Sequence, residues 1–399
     1  MLDAPSPAAA AHSGPTQSAR KERIVALDVV RGAAIFGILM VNAWALGSPY
    51  PWYGREPWTD GVSRSIYASL DFVFVSKFFP LFSLLFGMGL SLQIAAFEAR
   101  GESPRRFVLR RLGVLFLFGL VHLALLSPFD ILVPYALLGC LTLALRKLPP
   151  RRLLTVAGLC LCVPPVLSLL HAGGNLLGSQ PHTPHDPPAA AFLETYQHGS
   201  LAAIYTLRFA EIAEYYFWSA AYAFWIVAAM MTLGMYAVRS GLLEALLHDR
   251  MRLGSFARRA LGFGAPIALV HTLFWRSMHG MDPQPGYGWP VLSALGVLGE
   301  PWMAIGYACG LAWWTPAMPG WLSRKLAAVG KLALSNYVLQ SLVMFVVFMA
   351  PGFGSYGKHS PAWTVGFCVV LYACQCVLSE RWLRRHELGP LERLWRRFT

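Results

Sequence analysis

His122 and Asp130 are the residues of this sequence best suited to acid–base chemistry. They flank a short corner, Ser127-Pro128-Phe129, between two apolar stretches, so their side chains are expected at about the same depth. A neutral imidazole oriented by a carboxylate is the usual arrangement for a general base that acts on a hydroxyl or an amine. The structural alternative is a histidine hydrogen-bonded to a neighbouring helix, with Asp130 capping the helix that follows. The sequence leaves both interpretations open.

A second group of polar residues lies in the first long apolar stretch. Asp28 and Arg31 are three residues apart, a spacing that places them on one helix face, and Asn42 follows eleven residues after the arginine. An ionised side chain inside a membrane costs about 2.5–3.5 kcal/mol on insertion scales, so it seldom occurs without a partner or a function. The group is therefore predicted either to bind a ligand or to fix helix packing as an ion pair. Arg31 is also near enough to the start of the stretch to extend to the surface.

Lys77 is a further candidate functional residue, in the second apolar stretch. Lys77 precedes a Phe-Phe-Pro sequence, where the proline removes a helical hydrogen bond. A broken helix with a cation beside it could line a polar cavity, or the lysine could pair with an acidic residue such as Asp71 or Glu300.

One polar face follows in the ninth apolar stretch, at spacings of four to five residues. Lys331 and Asn336 are candidate ligand-binding residues there, whereas Ser335 and Gln340 are expected to hydrogen-bond neighbouring helices.

A basic cluster precedes the third apolar stretch and consists of Arg105, Arg106, Arg110 and Arg111. Guanidinium groups suit the phosphates of a ligand such as coenzyme A. Membrane topology alone also requires basic residues at such a position, where anionic lipids neutralise them. We retain Arg110 and Arg111 as candidate binding residues.

The composition indicates that these candidate residues lie on membrane-spanning helices or on the connections between them. The chain has 399 residues, of which 56% are hydrophobic and 13% are charged, and its mean hydropathy is +0.49. A soluble protein would have about one quarter charged residues. Apolar stretches of about 20 residues, each long enough to cross a bilayer, recur along the whole chain. The sequence therefore predicts an all-α, polytopic transmembrane helical bundle. Its ten predicted spans are residues 24–46, 70–97, 107–126, 129–146, 152–171, 216–238, 257–276, 290–314, 327–350 and 361–382.

The basic residues alternate along these spans. Most of the 33 lysines and arginines fall in every second connection, which predicts that both termini are cytoplasmic. The same distribution explains the net charge of +13 without a nucleic-acid partner. The predicted organisation is a disordered cytoplasmic tail (1–23), a first five-helix group (24–171), an outer-face loop with an amphipathic segment (172–215), and a second five-helix group with a basic cytoplasmic tail (216–399).

Metal binding receives little support from the sequence. The seven cysteines all lie in apolar stretches without histidines at zinc-site spacing, so neither disulfides nor a metal site is expected from them. The outer loop contains His182, His185 and Asp186, which could hold a metal ion but which occur more commonly as solvated loop residues. No metal ligand is assigned.

Five segments together resemble the YeiB-like family of bacterial inner-membrane proteins, which carry domain of unknown function 418. These segments are Leu27–Gly32, Lys77–Gly89, Arg110–Tyr135, Gly330–Ser341 and Gly389–Arg396. More remotely, the first span is similar to that of the acyltransferase-3 and heparan-alpha-glucosaminide N-acetyltransferase families. The first of these has a histidine where this chain has Asn42, whereas the second has an asparagine there and a catalytic histidine in the following loop. This chain has no histidine between His12 and His122.

The remote resemblance implies transfer of an acyl group from cytoplasmic acyl-CoA to a glycan, lipid or metabolite at the outer face of the bacterial inner membrane. Acyl-CoA would be a co-substrate, and no tightly bound cofactor is expected. It would dock near Arg31, Arg110, Arg111 and Lys331, with His122 as the base and Asp130 holding it. Two alternatives remain. One is a transporter that uses the same ionisable residues and Lys77 for substrate or protons, and the other is a membrane sensor or scaffold without chemistry.

Overall fold

The computed structural model describes residues 17–48, 58, 60–176, 189–278 and 288–399, and these residues form α-helices without a β-strand among them. The helices are α1 (Gln17–Gly47), α2 (Gly61–Val73), α3 (Phe78–Glu98), α4 (Arg105–Leu125), α5 (Leu132–Leu145), α6 (Pro150–Leu176), α7 (Ala189–His198), α8 (Leu201–Ala221), α9 (Ala223–Arg239), α10 (Leu242–His248), α11 (Arg250–Met278), α12 (Gly288–Trp314), α13 (Gly320–Lys331), α14 (Ala333–Phe348), α15 (Pro361–Leu383) and α16 (Pro390–Arg397).

The long apolar helices confirm the prediction of a helical membrane bundle. Among the described residues, six helical segments are long and apolar enough to cross a bilayer, and there are up to eight if each of two bent helix pairs forms one span. The bent pairs are α8 with α9 and α13 with α14. The other two predicted spans correspond to the short apolar α5 and to α11, which carries several arginines. The count of ten spans and the cytoplasmic position of the termini remain predictions.

Two predicted boundaries differ from the structure. Helix α1 begins at Gln17, so the last part of the tail predicted to be disordered is helical instead. Its sequence there, QSARKER, consists mostly of good helix formers. The amphipathic segment of the predicted outer loop, expected as a helix from Thr195 to Tyr215, corresponds largely to α8, which continues to Ala221 beyond the predicted limit of the loop. The candidate metal residues His182, His185 and Asp186 lie outside the described residues.

The largest buried apolar cluster joins the central helices of the bundle, with Ile35 of α1, Leu81 of α3 and Met231 of α9 among its most buried members. By contrast, α4, α6 and α15 expose large aliphatic side chains such as Leu117 and Leu159. Such exposure suits contact with lipid tails, because hydrocarbon imposes no penalty on apolar side chains.

Close backbone contact between α1 and α13 positions the polar residues of both helices. A Cβ atom on Gly32 would lie 2.1 Å from the carbonyl oxygen of Leu326, and one on Gly330 would lie 1.9 Å from that of Asp28. Only glycine allows such an approach. The chain then bends by 83° between α13 and α14. Lys331, the last residue of α13, is therefore held near Asp28 of α1.

Candidate functional site

Three buried polar side chains from different parts of the chain meet at the end of α4. Nδ1 of His122 lies 2.8 Å from Oδ1 of Asp130, and Nε2 of the same ring lies 2.8 Å from Oγ of Ser341. The exposed fractions of the three residues are 1%, 0% and 0%. Asp130 belongs to the corner between α4 and α5, whereas Ser341 lies on α14. The order carboxylate, imidazole, hydroxyl is the one found in catalytic triads, which are recognised by geometry and not by sequence position.

Asp130 has a structural contact as well as its contact with the imidazole. Its Oδ2 accepts a hydrogen bond of 2.6 Å from the backbone N–H of Val133, in the first turn of α5. Its Oδ1 is at ion-pair distance from His122, although the two atoms lack the alignment of a straight hydrogen bond. The two interpretations offered by the sequence are therefore compatible: Asp130 supports the start of α5, and it also faces the histidine.

Tyr337 and Ser341 complete the surroundings of the imidazole. The ring centroids of Tyr337 and His122 are 4.8 Å apart, and the buried Tyr337 hydroxyl lies near the backbone of Ile131, the residue after Asp130. If Nδ1 carries the ring proton, as a facing carboxylate favours, Nε2 accepts the proton of Ser341 Oγ. Oγ is also 3.4 Å from the Tyr337 carbonyl, a longer and weaker contact. This arrangement suits removal of a proton from a hydroxyl.

A buried arginine lies beside the same corner. Nη1 of Arg208 donates a hydrogen bond of 2.9 Å to the carbonyl of Leu125, and the guanidinium also interacts with Tyr196 and Glu211. Arg208 lines a cavity of about 10 Å³, room for about one water molecule, together with Tyr196, Glu211 and Phe129. The Tyr196 hydroxyl donates to Glu211, and burial together with this carboxylate raises the pKa of Tyr196. These residues were not predicted as site residues from the sequence, because a charged residue in a predicted loop is ordinarily solvated.

The predicted basic group assembles at the other end of α4. Nη1 of Arg31 donates a hydrogen bond of 2.7 Å to Oδ1 of Asp28, which also interacts electrostatically with Lys331. Arg111 is close enough to Arg31 for the two charges to repel each other. Arg110, one residue earlier, is exposed. With a rise of 1.5 Å per residue, Arg111 and His122 are about 16 Å apart along α4. One helix therefore connects the cationic group with the histidine.

The C-terminal helix α16 contacts both Arg111 and the start of α14, next to the cationic group. Oε1 of Glu392 accepts hydrogen bonds from the backbone N–H groups of Leu334 (2.8 Å) and Ser335 (3.0 Å), and the Ser335 hydroxyl donates to Oε2. Nε1 of Trp395 donates to the carbonyl of Arg111 (2.8 Å), whose guanidinium lies 3.8 Å from the Trp395 ring centroid. A carboxylate from a distant segment thus satisfies the free N–H groups at the start of α14.

Lys77 lies in a separate buried group at the break between α2 and α3. Its exposed fraction is 1%, and its Nζ donates a hydrogen bond of 3.1 Å to the carbonyl of Asp71. The charge of Lys77 also interacts with Glu300 and with the Asp71 carboxylate. These are the two acidic residues that the sequence suggested as its partners. Oε2 of Glu300 accepts from the Tyr222 hydroxyl (2.9 Å), and Oε1 lies 3.7 Å from Nδ1 of His271.

The remaining predicted residues contact neighbouring helices. Nδ2 of Asn336 donates to the carbonyl of Leu332 and to the hydroxyl of Ser379, both at 3.0 Å. Gln340 donates to Gln375 at 2.8 Å, a contact between helices of the kind expected for it. Asn42 is buried in α1. Ligand binding by Asn336 and Asn42 remains a prediction.

Two similar proteins cover almost the whole chain. The uncharacterized protein YeiB of Escherichia coli (strain K12) is 33% identical over 95% of this chain and 96% of its own length. The uncharacterized protein YxaH of Bacillus subtilis (strain 168) is 30% identical over 95% of this chain and 94% of its own length. The profile of the family described as "Protein of unknown function (DUF418)" matches residues 237–399. No solved structure matches the chain. The chain therefore belongs to the YeiB-like DUF418 family.

Proposed function

We propose that this membrane protein is an acyltransferase that moves an acyl group from cytoplasmic acyl-CoA to a hydroxyl or amine at the outer face. The observation that carries this proposal is the buried series of Asp130, His122 and Ser341, with 2.8 Å between successive polar atoms. Hydroxyl, imidazole and carboxylate groups in this order activate a nucleophile in many unrelated acyl-transfer enzymes. Because acyl-CoA is made in the cytoplasm, we place the protein in the bacterial inner membrane.

In the proposed reaction, Ser341 is the first acyl acceptor. Oγ attacks the thioester carbonyl carbon, its proton passes to Nε2 of His122, and Asp130 stabilises the imidazolium that forms. The carbon–sulfur bond then breaks, and the proton leaves with the thiolate as the coenzyme A thiol. In the second half, His122 takes a proton from the acceptor hydroxyl or amine, which attacks the ester carbonyl carbon. The bond between that carbon and Oγ then breaks, and His122 returns the proton to Oγ of Ser341. The hydroxyl of Tyr337 supplies a donor near the histidine for the charge that develops on the carbonyl oxygen.

Each end of α4 lies near cationic side chains that could bind one of the two proposed substrates. Arg31, Arg111 and Lys331 form a cationic group for the phosphates of coenzyme A, and Asp28 orients Arg31. About 16 Å farther along α4, the buried guanidinium of Arg208 lies beside the corner that carries Asp130. A guanidinium at this position can orient a polar acceptor.

Binding of the donor can be measured directly on the purified protein. Thermal unfolding in detergent would be followed with coenzyme A, acetyl-CoA and longer acyl-CoA species. A ligand at 100 times its dissociation constant adds about 2.7 kcal/mol to the stability of the folded protein. We expect this stabilisation with a thioester and a much smaller one in Arg31→Ala. The control is Arg385→Ala, which removes an exposed arginine after α15. Absence of stabilisation with every thioester at millimolar concentration would overturn the proposal.

A second candidate function, transport of a small molecule, is favoured by the buried Lys77 group. Glu300 of α12 is buried beside Lys77, from the break between α2 and α3, and Tyr222, from the break between α8 and α9. His271 of α11 connects Glu300 with a less buried position. Ionisable residues within a membrane are typical of substrate and proton pathways. Proton-coupled flux in proteoliposomes that is lost in Glu300→Gln and retained in Ser341→Ala would favour transport over acyl transfer.

A further inference from the structure

Helices α11 and α12 leave a groove of about 420 Å³ between them, near the start of α11 and the end of α12. We call it the α11–α12 groove. Its walls are almost entirely apolar, and they include Gly254, Ala257 and Leu261 of α11 and Gly306, Gly310 and Trp313 of α12. This volume is far larger than a packing defect, because close-packed protein interiors contain few voids larger than a water molecule.

Glycine and tryptophan residues shape this groove. At Gly310 a Cβ atom would meet no heavy atom within 4 Å, so the groove is open at that position. At Gly254, by contrast, a Cβ would lie 2.7 Å from Nε1 of Trp313, so this glycine allows the indole to pack closely against α11. Trp313 and its neighbour Trp314 are 38% and 45% exposed. The groove therefore opens sideways from the bundle, towards the surface that lipid would cover.

Two arginines of α11 lie beside the groove. Arg258 lines it, and the guanidinium of Arg250 lies 5.5 Å from the ring centroid of Trp313. The facing segment of α12, residues 306–314, contains no acidic residue. Asp249 is nearby in sequence, where it accepts a hydrogen bond from the backbone N–H of Arg252 at the start of α11. An apolar groove is thus accompanied by two cationic side chains.

We propose that the α11–α12 groove binds one acyl chain of an anionic phospholipid from the adjacent leaflet. The chain lies against Gly310 and the tryptophan, and the headgroup phosphate is held by Arg258 and Arg250. Basic pockets between membrane helices bind anionic headgroups in this way, and tryptophan is common at headgroup depth. A second protein helix fits less well, because two of the small residues that could receive it are already covered within the chain, Gly254 by Trp313 and Gly306 by Leu261. The proposal does not depend on the acyltransferase function.

The groove also contacts helices that carry the candidate site. Tyr307 lines it, and its hydroxyl donates a hydrogen bond of 3.2 Å to the carbonyl of Val73 while its ring stacks on Phe78. Leu311, another lining residue, packs against a cluster that includes Val29 of α1. A bound chain would therefore support the segments next to Lys77 and Asp28.

The test uses the whole protein in nanodiscs and the glycines of the two helices. Protein would be reconstituted with phosphatidylglycerol or phosphatidylcholine of identical acyl chains, and retained lipid would be counted by native mass spectrometry. Gly310→Leu fills the groove. The matched control, Gly262→Leu, adds the same side chain to α11 at an exposed position where a Cβ also meets no heavy atom within 4 Å.

We expect wild type and Gly262→Leu to retain one phosphatidylglycerol, and Gly310→Leu to retain at least tenfold less. Arg258→Ala should lose the preference for phosphatidylglycerol over phosphatidylcholine. Equal retention in Gly310→Leu and Gly262→Leu would overturn the groove as the site, and equal retention of the two lipids by wild type would overturn the headgroup assignment. If Gly310→Leu does not fold, phosphatidylglycerol with a photoreactive acyl chain supplies a second measurement on wild type. Its crosslinks should fall on residues 254–261 and 306–314, and crosslinks elsewhere would contradict the proposal.

Discussion

Oγ of Ser341 lies 2.8 Å from Nε2 of His122, although 219 residues separate the two in sequence. The contact joins the end of α4 to α14 and places a buried hydroxyl on the ring nitrogen opposite Asp130. In a membrane interior, a polar contact of this kind satisfies groups that would otherwise lose their hydrogen bonds. The same contact gives the histidine a proton donor, which is the requirement for nucleophile activation.

Replacement of the serine should stop acyl transfer without unfolding the protein. In Ser341→Ala, we expect the rate of transfer from acyl-CoA to fall by about 10³-fold or more, because the proposed nucleophile is absent. Incubation of wild type with acyl-CoA should add one acyl mass, which peptide mapping should place on Ser341. Ser83→Ala is the matched control, since Ser83 is an equally buried serine that hydrogen-bonds to Phe79 and Tyr135. Full activity in Ser341→Ala would exclude the acyl-serine step.

The two contacts of Asp130 can be separated by substitution. Asp130→Asn retains an oxygen that can accept from Val133 but removes the charge facing His122, so activity should fall by about 10²–10⁴-fold with little loss of stability. Asp130→Ala removes both contacts and should also lower the stability by about 0.5–2 kcal/mol, as loss of a helix cap does. Turnover and thermal unfolding would be measured on both variants. An active Asp130→Asn would mean that the carboxylate serves α5 alone.

The C-terminal helix should be required for a stable start of α14. Glu392→Ala leaves the backbone N–H groups of Leu334 and Ser335 without their acceptor, which should cost about 1–3 kcal/mol per buried group. The chain should also become sensitive to proteolysis after α15. Glu387→Ala, an exposed glutamate five residues earlier, is the control and should behave as wild type. Equal unfolding temperatures of the two variants would show that Glu392 contributes nothing measurable.

Alanine substitution should have opposite effects on stability at two glycines, because one lies in the close contact between α1 and α13 and the other does not. In Gly330→Ala the new methyl group would lie 1.9 Å from the Asp28 carbonyl oxygen, so the helices must separate, at a cost of about 1–3 kcal/mol. Gly113→Ala in α4 meets no heavy atom within 4 Å and should stabilise its helix by up to about 1 kcal/mol. Thermal unfolding compares the two. An unchanged unfolding temperature in Gly330→Ala would contradict the close contact that holds Lys331 beside Asp28.

The sequence by itself determined the class of the protein and the contacts between residues close in the chain. Long apolar stretches with few charges require helices that bury their backbone hydrogen bonds in lipid, so the membrane bundle could be predicted from composition. Asp28 with Arg31, and His122 with Asp130, are separated by three and eight residues, and helix geometry or one short corner brings each pair together.

Only the tertiary structure decided which side chains far apart in the chain contact one another. Ser341 opposite His122, Glu392 at the start of α14 and Tyr222 on Glu300 each depend on how separate helices pack. The pattern along one helix shows which face is apolar, but not which neighbour covers it or at what register, because lipid and protein accept the same apolar side chains. In this protein, the close contacts at Gly32 and Gly330 and the 83° bend after Lys331 set that register.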